Sequence, residues 1–350
     1  MVYLKGIADH GSCAVVDDVG DDACDVYLLT HGIPGAEEEL HRRLTRLRPG
    51  ASINSFMGIG DLCEKVTFCR AVRQCEALCP RLRAFVPPTW VLPDELGAVF
   101  ELLHDAGPAG SPLIVKPEYG LQGHGIFLVR TRTDLEVALA ARCLHGRGSR
   151  SYVCQRYVPS PLLIDGYKFD LRLYLSITSL SPLQAGLSRE GLARFCTTPY
   201  APLSAANMSQ RTGHLTNYTL NKKEDAFARA EAGASSEQAS KRLLSKTLRH
   251  VEASSGGRFC EDRFWRQMEE ISALLCLTLL PGLAYRSLEY YDINEEPSRC
   301  FHLLGIDVLL DSEYHPWLLE VNSCPAMDCE TTVPLPEPAP AAPPPPGAEA

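Results

Sequence analysis

The chain is expected to fold as a mixed α/β protein whose second half is dominated by antiparallel strands. Three observations lead to this. Residues 168–178 (KFDLRLYLSIT) alternate between polar and apolar side chains, as a half-buried strand does. Residues 303–311 and 316–322 are apolar runs joined by SEYH, a connection of hairpin length. Helix-like stretches at 36–48, 61–79, 94–104 and 262–280 alternate with the strands, and Pro49-Gly50 and Pro80 stop the first two.

The remaining elements follow in order. Residues 24–30 (CDVYLLT) read as a strand, and Pro87-Pro88 breaks the chain before another, TWVL. The helix at 94–104 closes on the loop GPAGSP. Leu113–Val115 and Ile126–Val129 are short strands around PEYGLQGHG, a glycine-bearing hairpin loop. Thr133 with Glu136 fits a capping box for a helix reaching about Cys143. Tyr152–Val158 is a strand ended by Pro159 and Pro161, and LQAGLS with GLARFC reads as a hairpin. Residues 226–258, rich in Ala, Ser and Lys, suggest a helix between mobile loops. The closing VPLPEPAPAAPPPPGAEA has the composition of an extended segment without a fold of its own.

Composition bounds the function. With 34 Lys plus Arg against 43 Asp plus Glu, the net charge of -9 argues against broad attachment to nucleic acid or acidic membranes. No apolar run approaches the length that spans a bilayer, and MVYLKGIADHG lacks the apolar core of a signal peptide. The 14 cysteines are therefore expected to be reduced thiols in a cytosolic protein. The densest group, Cys63, Cys69, Cys75 and Cys79, lacks the paired spacing of a zinc site and reads as small apolar residues.

The last two strands carry the most chemistry. If Asp311 pairs with Pro316, Asp307 lies directly opposite Glu320, with side chains roughly 5 Å apart on one face. Two carboxylates there repel by about 3 kcal/mol at an effective dielectric near 20. A divalent cation removes that penalty, and Asn322, on the same face, adds a neutral oxygen; three such ligands suit magnesium. The alternative is a solvated edge hairpin. On 168–178, Lys168, Asp170, Arg172 and Tyr174 share one face, while Phe169, Leu171, Leu173 and Leu175 share the other. The polar face reads either as a phosphate clamp, with Asp170 holding Arg172, or as a solvated surface. After Lys116, Gly120, Gly123 and Gly125 either let backbone N–H groups approach phosphates or simply make the turn.

The stretches IVKPEYGLQGHGIFLV, QRYV, PLLIDGYKFDLRLYLSITS, GLARFCTTPY, HLTNYTLNK and LLGIDVLLD with PWLLEVNSCP, preceded by the more weakly marked INSFMGIGDLCEK and FVPPTWVLP, occur in one order over about residues 53–328. They resemble the tubulin–tyrosine ligase-like family, and the wording of PLLIDG–KFD, GLARF and HLTNY resembles its polyglutamylase branch. The resemblance implies an ATP-grasp fold with the nucleotide between two sheet lobes. The implied division is an N-terminal α/β lobe (1–110), a central lobe (111–160), a C-terminal lobe (161–330) and the tail (331–350).

It also implies an ATP- and Mg²⁺-dependent carboxylate–amine ligase that adds free L-glutamate to glutamate side chains of an acidic tail, through an acyl phosphate. Lys116, Gln122 and Gly123 would contact the phosphates, and Gln155, Arg156, Tyr157 and Val158 would line the adenine. Lys168, Phe169, Asp170, Thr216 and Asn217 would complete the ATP site. Asp307, Glu320 and Asn322 would hold Mg²⁺, Arg194, Tyr218 and Thr219 would grip the glutamate, and Arg172 would be catalytic, stabilising the acyl phosphate and the tetrahedral species. Tubulin or another acidic protein would be the partner of a monomer at cytoplasmic microtubules, a cilium or a basal body. Glycine or tyrosine as the amine, a non-tubulin acceptor, and a silent tubulin- or nucleotide-binding module stay open.

Overall fold

A computed structural model describes residues 25–28, 36–106, 111–120, 123–144, 151–204, 207–208, 210–221, 240–295 and 298–326. The Pro/Ala-rich tail, the loop GPAGSP through Gly110, and all of 226–239 lie outside the described residues.

Two antiparallel sheets organise the site. The first has the order β3-β6-β4-β5, from β3 (Thr89–Leu92), β4 (Leu113–Pro117), β5 (Phe127–Val129) and β6 (Tyr152–Arg156). One face buries Leu92, Leu113, Val115, Tyr152 and Cys154 with Val99 and Leu103 of α4 (Leu96–Ala106) and Leu135 of α5 (Arg132–Leu144). The other face carries Lys116 and Gln155 into the site.

The second sheet is built on the long strand β8 (Tyr167–Leu180). Its core path is β11 (Lys241–Leu243), β10 (Leu192–Phe195), β8, β12 (His302–Leu310) and β13 (Pro316–Asn322); β7 (Leu163–Ile164) and β9 (Leu183–Leu187) also pair with β8. The apolar face of β8 (Phe169, Leu171, Leu173, Leu175, Ile177) is buried. It belongs to one core with Phe264, Met268, Ile271, Leu275 and Leu279 of α8 (Glu261–Ser287) and with α7 (Leu244–Ser254). The two-residue strands β1 (Val26–Tyr27) and β2 (Ser52–Ile53) form a separate parallel pair, and α1 (Ala36–Leu44) lies between them in sequence.

Several expectations are corrected. The helix at 61–79 is two helices, α2 (Ile59–Cys63) and α3 (Lys65–Leu78), because Glu64 between them is extended at φ -61 and ψ 139. LQAGLS and GLARFC do not pair with each other: β9 pairs along Leu175–Leu180 and β10 along Phe169–Arg172, so β8 is long enough to seat both on one edge. The cap of α5 is Thr131 with Asp134, not Thr133 with Glu136. The Thr131 hydroxyl accepts from the Asp134 N–H at 3.1 Å, and the Asp134 carboxylate accepts from the Thr131 N–H at 2.9 Å; Glu136 instead pairs with Arg132 at 2.8 Å. Helix α8 continues through Pro281 to Ser287. By length and composition it could cross a membrane, contrary to the sequence expectation, but half of its most apolar stretch is buried in this core.

The Asp165-Gly166 pair, with φ of 53° and 82°, joins β7 to β8 as a two-residue turn of the primed kind. That dipeptide was a readable hairpin signal, and it fixes where β8 begins.

Candidate functional site

The terminal hairpin shows how the sequence builds the site. Asp311 does not pair with Pro316. Its carboxylate instead holds the turn, accepting from the N–H groups of Glu313 and His315 at 2.9 Å and from Trp317 Nε1 at 3.0 Å. The ladder therefore begins at Leu310↔Pro316, one residue out of the expected register. A bulge then places Leu319 between the pairs Val308↔Leu318 and Asp307↔Glu320, which restores the expected pairing. The Leu319 carbonyl accepts from Lys116 Nζ at 3.3 Å.

On the charged face of β8 and its neighbours, Lys168, Asp170, Arg194 and Asp307 are buried and Arg172 is partly buried. Arg172 forks onto Asp307, with Nε to Oδ1 at 2.5 Å and Nη2 to Oδ2 at 3.1 Å. Arg194 forks onto Asp170 at 2.8 and 2.5 Å and also reaches Asp307 Oδ2 at 2.9 Å. The Thr216 hydroxyl donates to Asp170 at 2.6 Å. Asp170 thus holds Arg194, not Arg172. The ladder explains this, since Arg194 lies directly across from Asp170 and Asp307 directly across from Arg172.

Burial opposes the charge on Asp307, but Arg172 and Arg194 more than offset it and hold its carboxyl well below the usual range. Arg194, also buried, is kept charged by Asp170 and Asp307. Asn322 Nδ2 stands 3.5 Å from Asp307 Oδ2.

Two buried lysines face this cluster. Lys116 donates to Gln155 Oε1 at 3.0 Å, and burial pushes its pKa down. Lys168 donates to the Tyr157 hydroxyl at 3.1 Å and the His214 carbonyl at 2.8 Å, and burial lowers it too. Gly123 has φ +79°, and a Cβ there would lie 3.0 Å from Asn217 Oδ1, so glycine is needed for the loop to approach so closely.

One cavity between the two sheets is lined by Lys116, Gln155, Arg156, Tyr157, Val158, Lys168, Asp170, Arg194, Thr216, Asn217, Asp307 and Glu320. Arg172 and Asn322 adjoin it through Asp307, and Gly123 through Asn217. Phe169 is not in this group. It faces the opposite side of β8 and stacks on Phe195 at 5.1 Å between ring centroids, as the alternation requires. Gln122 lies outside the described residues, and Tyr218 and Thr219 open a short helix, α6 (Tyr218–Asn221).

Sequence reasoning missed the apolar lining Ile114, Ile126 and Leu309, and also His214. It missed Lys65 of α3 as well, whose Nζ is 3.2 Å from Glu320 Oε1 and 3.1 Å from the Gly120 carbonyl. Lys65 closes INSFMGIGDLCEK, so the segment was in view but its lysine had no visible partner. A larger cavity of about 450 Å³ adjoins the first and shares Lys116, Gln155, Leu319 and Glu320 with it.

This arrangement meets the chain's known relatives. The model of the tubulin-tyrosine ligase family matches residues 44–336. Tubulin polyglutamylase TTLL11 of Homo sapiens is 34% identical over 311 residues, 88% of this chain and 41% of that protein. Tubulin polyglutamylase ttll6 of Danio rerio is 32% identical, over 83% of this chain and 34% of its own. A probable beta-tubulin polyglutamylase of Tetrahymena thermophila is also 32% identical, over 83% of this chain and 23% of its own. The chain thus spans less than half the length of these relatives. On the family match and these identities, the chain belongs to the tubulin-tyrosine ligase family.

Proposed function

We propose that the chain is an ATP- and magnesium-dependent ligase that adds glutamate, by isopeptide linkage, to glutamate side chains of an acidic protein tail, with tubulin as the acceptor. The observation that carries this is the meeting of Lys116 and Gln155 from one sheet with Lys168, Asp170, Asp307 and Glu320 from the other, around one cavity. We read the facing sheets as the two halves of an ATP-grasp core, residues 111–160 and 161–330, with 1–110 as a further lobe. The relatives named as tubulin polyglutamylases support glutamate as the amine and tubulin as the acceptor.

The donor set fits magnesium. Asp307, Glu320 and Asn322 carry hard oxygens on neighbouring strands; Arg172 and Arg194 on Asp307 and Lys65 on Glu320 would share those oxygens with a metal that arrives with polyphosphate. Those three residues would hold the ion; bound there, magnesium draws charge from the transferring phosphoryl group. Lys116 and Lys168 would neutralise phosphate oxygens, and Gly123 would let the loop backbone come against them; Gln122 is the further phosphate contact that the family resemblance implies. Gln155 to Val158, with Ile126 and Leu309, would form the adenine slot, and Thr216 and Asn217 would close it. Arg172 stabilises the charge that builds up as the acceptor carboxylate becomes an acyl phosphate and is attacked by the amine. Arg194, Tyr218 and Thr219 would take the incoming glutamate; the bonds of Arg194 to Asp170 and Asp307 use Nε and Nη2 and leave Nη1 for a carboxylate. Such an enzyme would act as a monomer at microtubules of the cytoplasm or a cilium.

The test supplies purified chain with ATP, Mg²⁺, tubulin and labelled Glu, Gly or Tyr in turn, read by mass spectrometry of the tubulin tails. Glutamate is expected to be incorporated. Incorporation of glycine or tyrosine alone would refute the assignment of the amine.

A further inference from the structure

We propose that His214 is a positioning residue for Lys168, acting through Tyr157; the role rests on reading this cavity as a nucleotide site. The argument begins with donors and acceptors. Lys168 Nζ is 3.1 Å from the Tyr157 hydroxyl and 2.8 Å from the His214 carbonyl, and lies 4.4 Å from the Tyr157 ring centroid. An ammonium only donates, so the phenol oxygen must accept from it. Besides Lys168, the Tyr157 hydroxyl has two side-chain neighbours, His214 and Tyr200; His214 Nδ1, at 3.0 Å and in hydrogen-bond geometry, takes its single hydrogen.

That makes Nδ1 an acceptor, so the imidazole is neutral and carries its proton on Nε2. Tyr200 does not supply an alternative donor, because its hydroxyl donates to the Pro159 carbonyl at 2.5 Å. The surroundings agree. Burial, and then the charge of Lys168, push His214 down to about 4. The Tyr157 and Tyr200 rings pack edge-on against the imidazole, with centroids at 5.9 and 5.6 Å.

The same segment is tied to β8 at two points. The His214 carbonyl takes one N–H of Lys168, and two residues on, the Thr216 hydroxyl reaches Asp170. With two N–H groups of Lys168 engaged, the third faces the cavity that Lys168 lines. Its direction depends on the phenol presenting a lone pair, and the imidazole enforces this. Without His214, the phenol hydrogen can rotate toward the ammonium, and the attraction is lost.

The experiment uses the full chain with ¹⁵N-labelled histidine, the His214 signals being assigned by their loss in His214→Asn. The Nδ1 signal of His214 is expected in the unprotonated, acceptor range across pH 6–8. Affinity for a non-hydrolysable ATP analogue with Mg²⁺ is then measured for wild type, Tyr157→Phe, His214→Ala, the double variant and His214→Asn, each checked for folding by circular dichroism.

Each of the two single changes is expected to weaken binding roughly tenfold, and the double variant to bind no worse than either, since both break one chain of bonds. His214→Asn, whose amide oxygen can accept from Tyr157, should stay within about threefold of wild type. A protonated Nδ1, or a double variant that loses the product of the single effects, would overturn the proposal. Wild type that fails to bind the analogue overturns the nucleotide reading and the positioning role with it. The Nδ1 signal separates that outcome from failure of the hydrogen-bond chain itself.

Discussion

Arg194 sits between two carboxylates in a place where water reaches little of it, and its partners are set by which residues face one another across β8, β10 and β12. Removing half of that compensation leaves a buried charge short of a partner. Asp170→Asn is therefore expected to lower stability by about 3 kcal/mol, measured by urea denaturation; a change below about 0.5 kcal/mol would contradict the pairing.

His214 gives a pH prediction. Its folded pKa, about 4, lies below the ordinary 6.5, so between these values the unfolded chain binds more protons. Its contribution is full above pH 6.5 and is lost as pH falls toward 4. Thermal melts from pH 7 to pH 4.5 should show a steeper loss for wild type than for His214→Gln, and equal slopes would contradict the assignment. The sequence made most of these residues visible as site candidates but not their partners. Strand alternation identified the polar face of β8, whereas the pairing of Asp170 with Arg194 depends on which strands become neighbours.

At the scale of elements, periodicity and breaker residues located the longer described helices and strands and missed the short ones, β2, β7, β11 and α6, which depend on tertiary context. The strand β11 is only three residues long and exists by pairing with β10, so its own pattern is too short to read. β9 and β10 looked like a hairpin because they are close in sequence, yet both are seated along β8. The register of the last hairpin came out right at Asp307↔Glu320 because two deviations cancel: Asp311 is drawn into the turn, and Leu319 bulges.

The cap of α5 tests this local reading. Thr131→Ala should cost about 1 kcal/mol, as loss of an N-cap hydroxyl does. The exposed Thr133→Ala should change stability by less than about 0.5 kcal/mol, with chemical denaturation as the measurement. The reverse order would restore the capping box first expected from the sequence.

For the whole molecule, the site belongs to neither sheet alone. Lys116 and Gln155 come from one, and Lys168, Asp170, Asp307 and Glu320 from the other, so the cavity exists only when both fold and face each other. The net charge of -9 sets a condition on an acidic acceptor: attraction must come from local cations and not from the molecule's overall field.

The central claim is that this cavity holds a nucleotide with magnesium on Asp307, Glu320 and Asn322. Calorimetric titration of the full chain with a non-hydrolysable ATP analogue tests it most directly, with Mg²⁺ and with EDTA, in wild type and Glu320→Gln. Binding that requires Mg²⁺, and that weakens at least about tenfold in a Glu320→Gln protein with an unchanged melting profile, is the predicted result. Binding that is absent, or equally tight without Mg²⁺ and in the variant, would contradict the account.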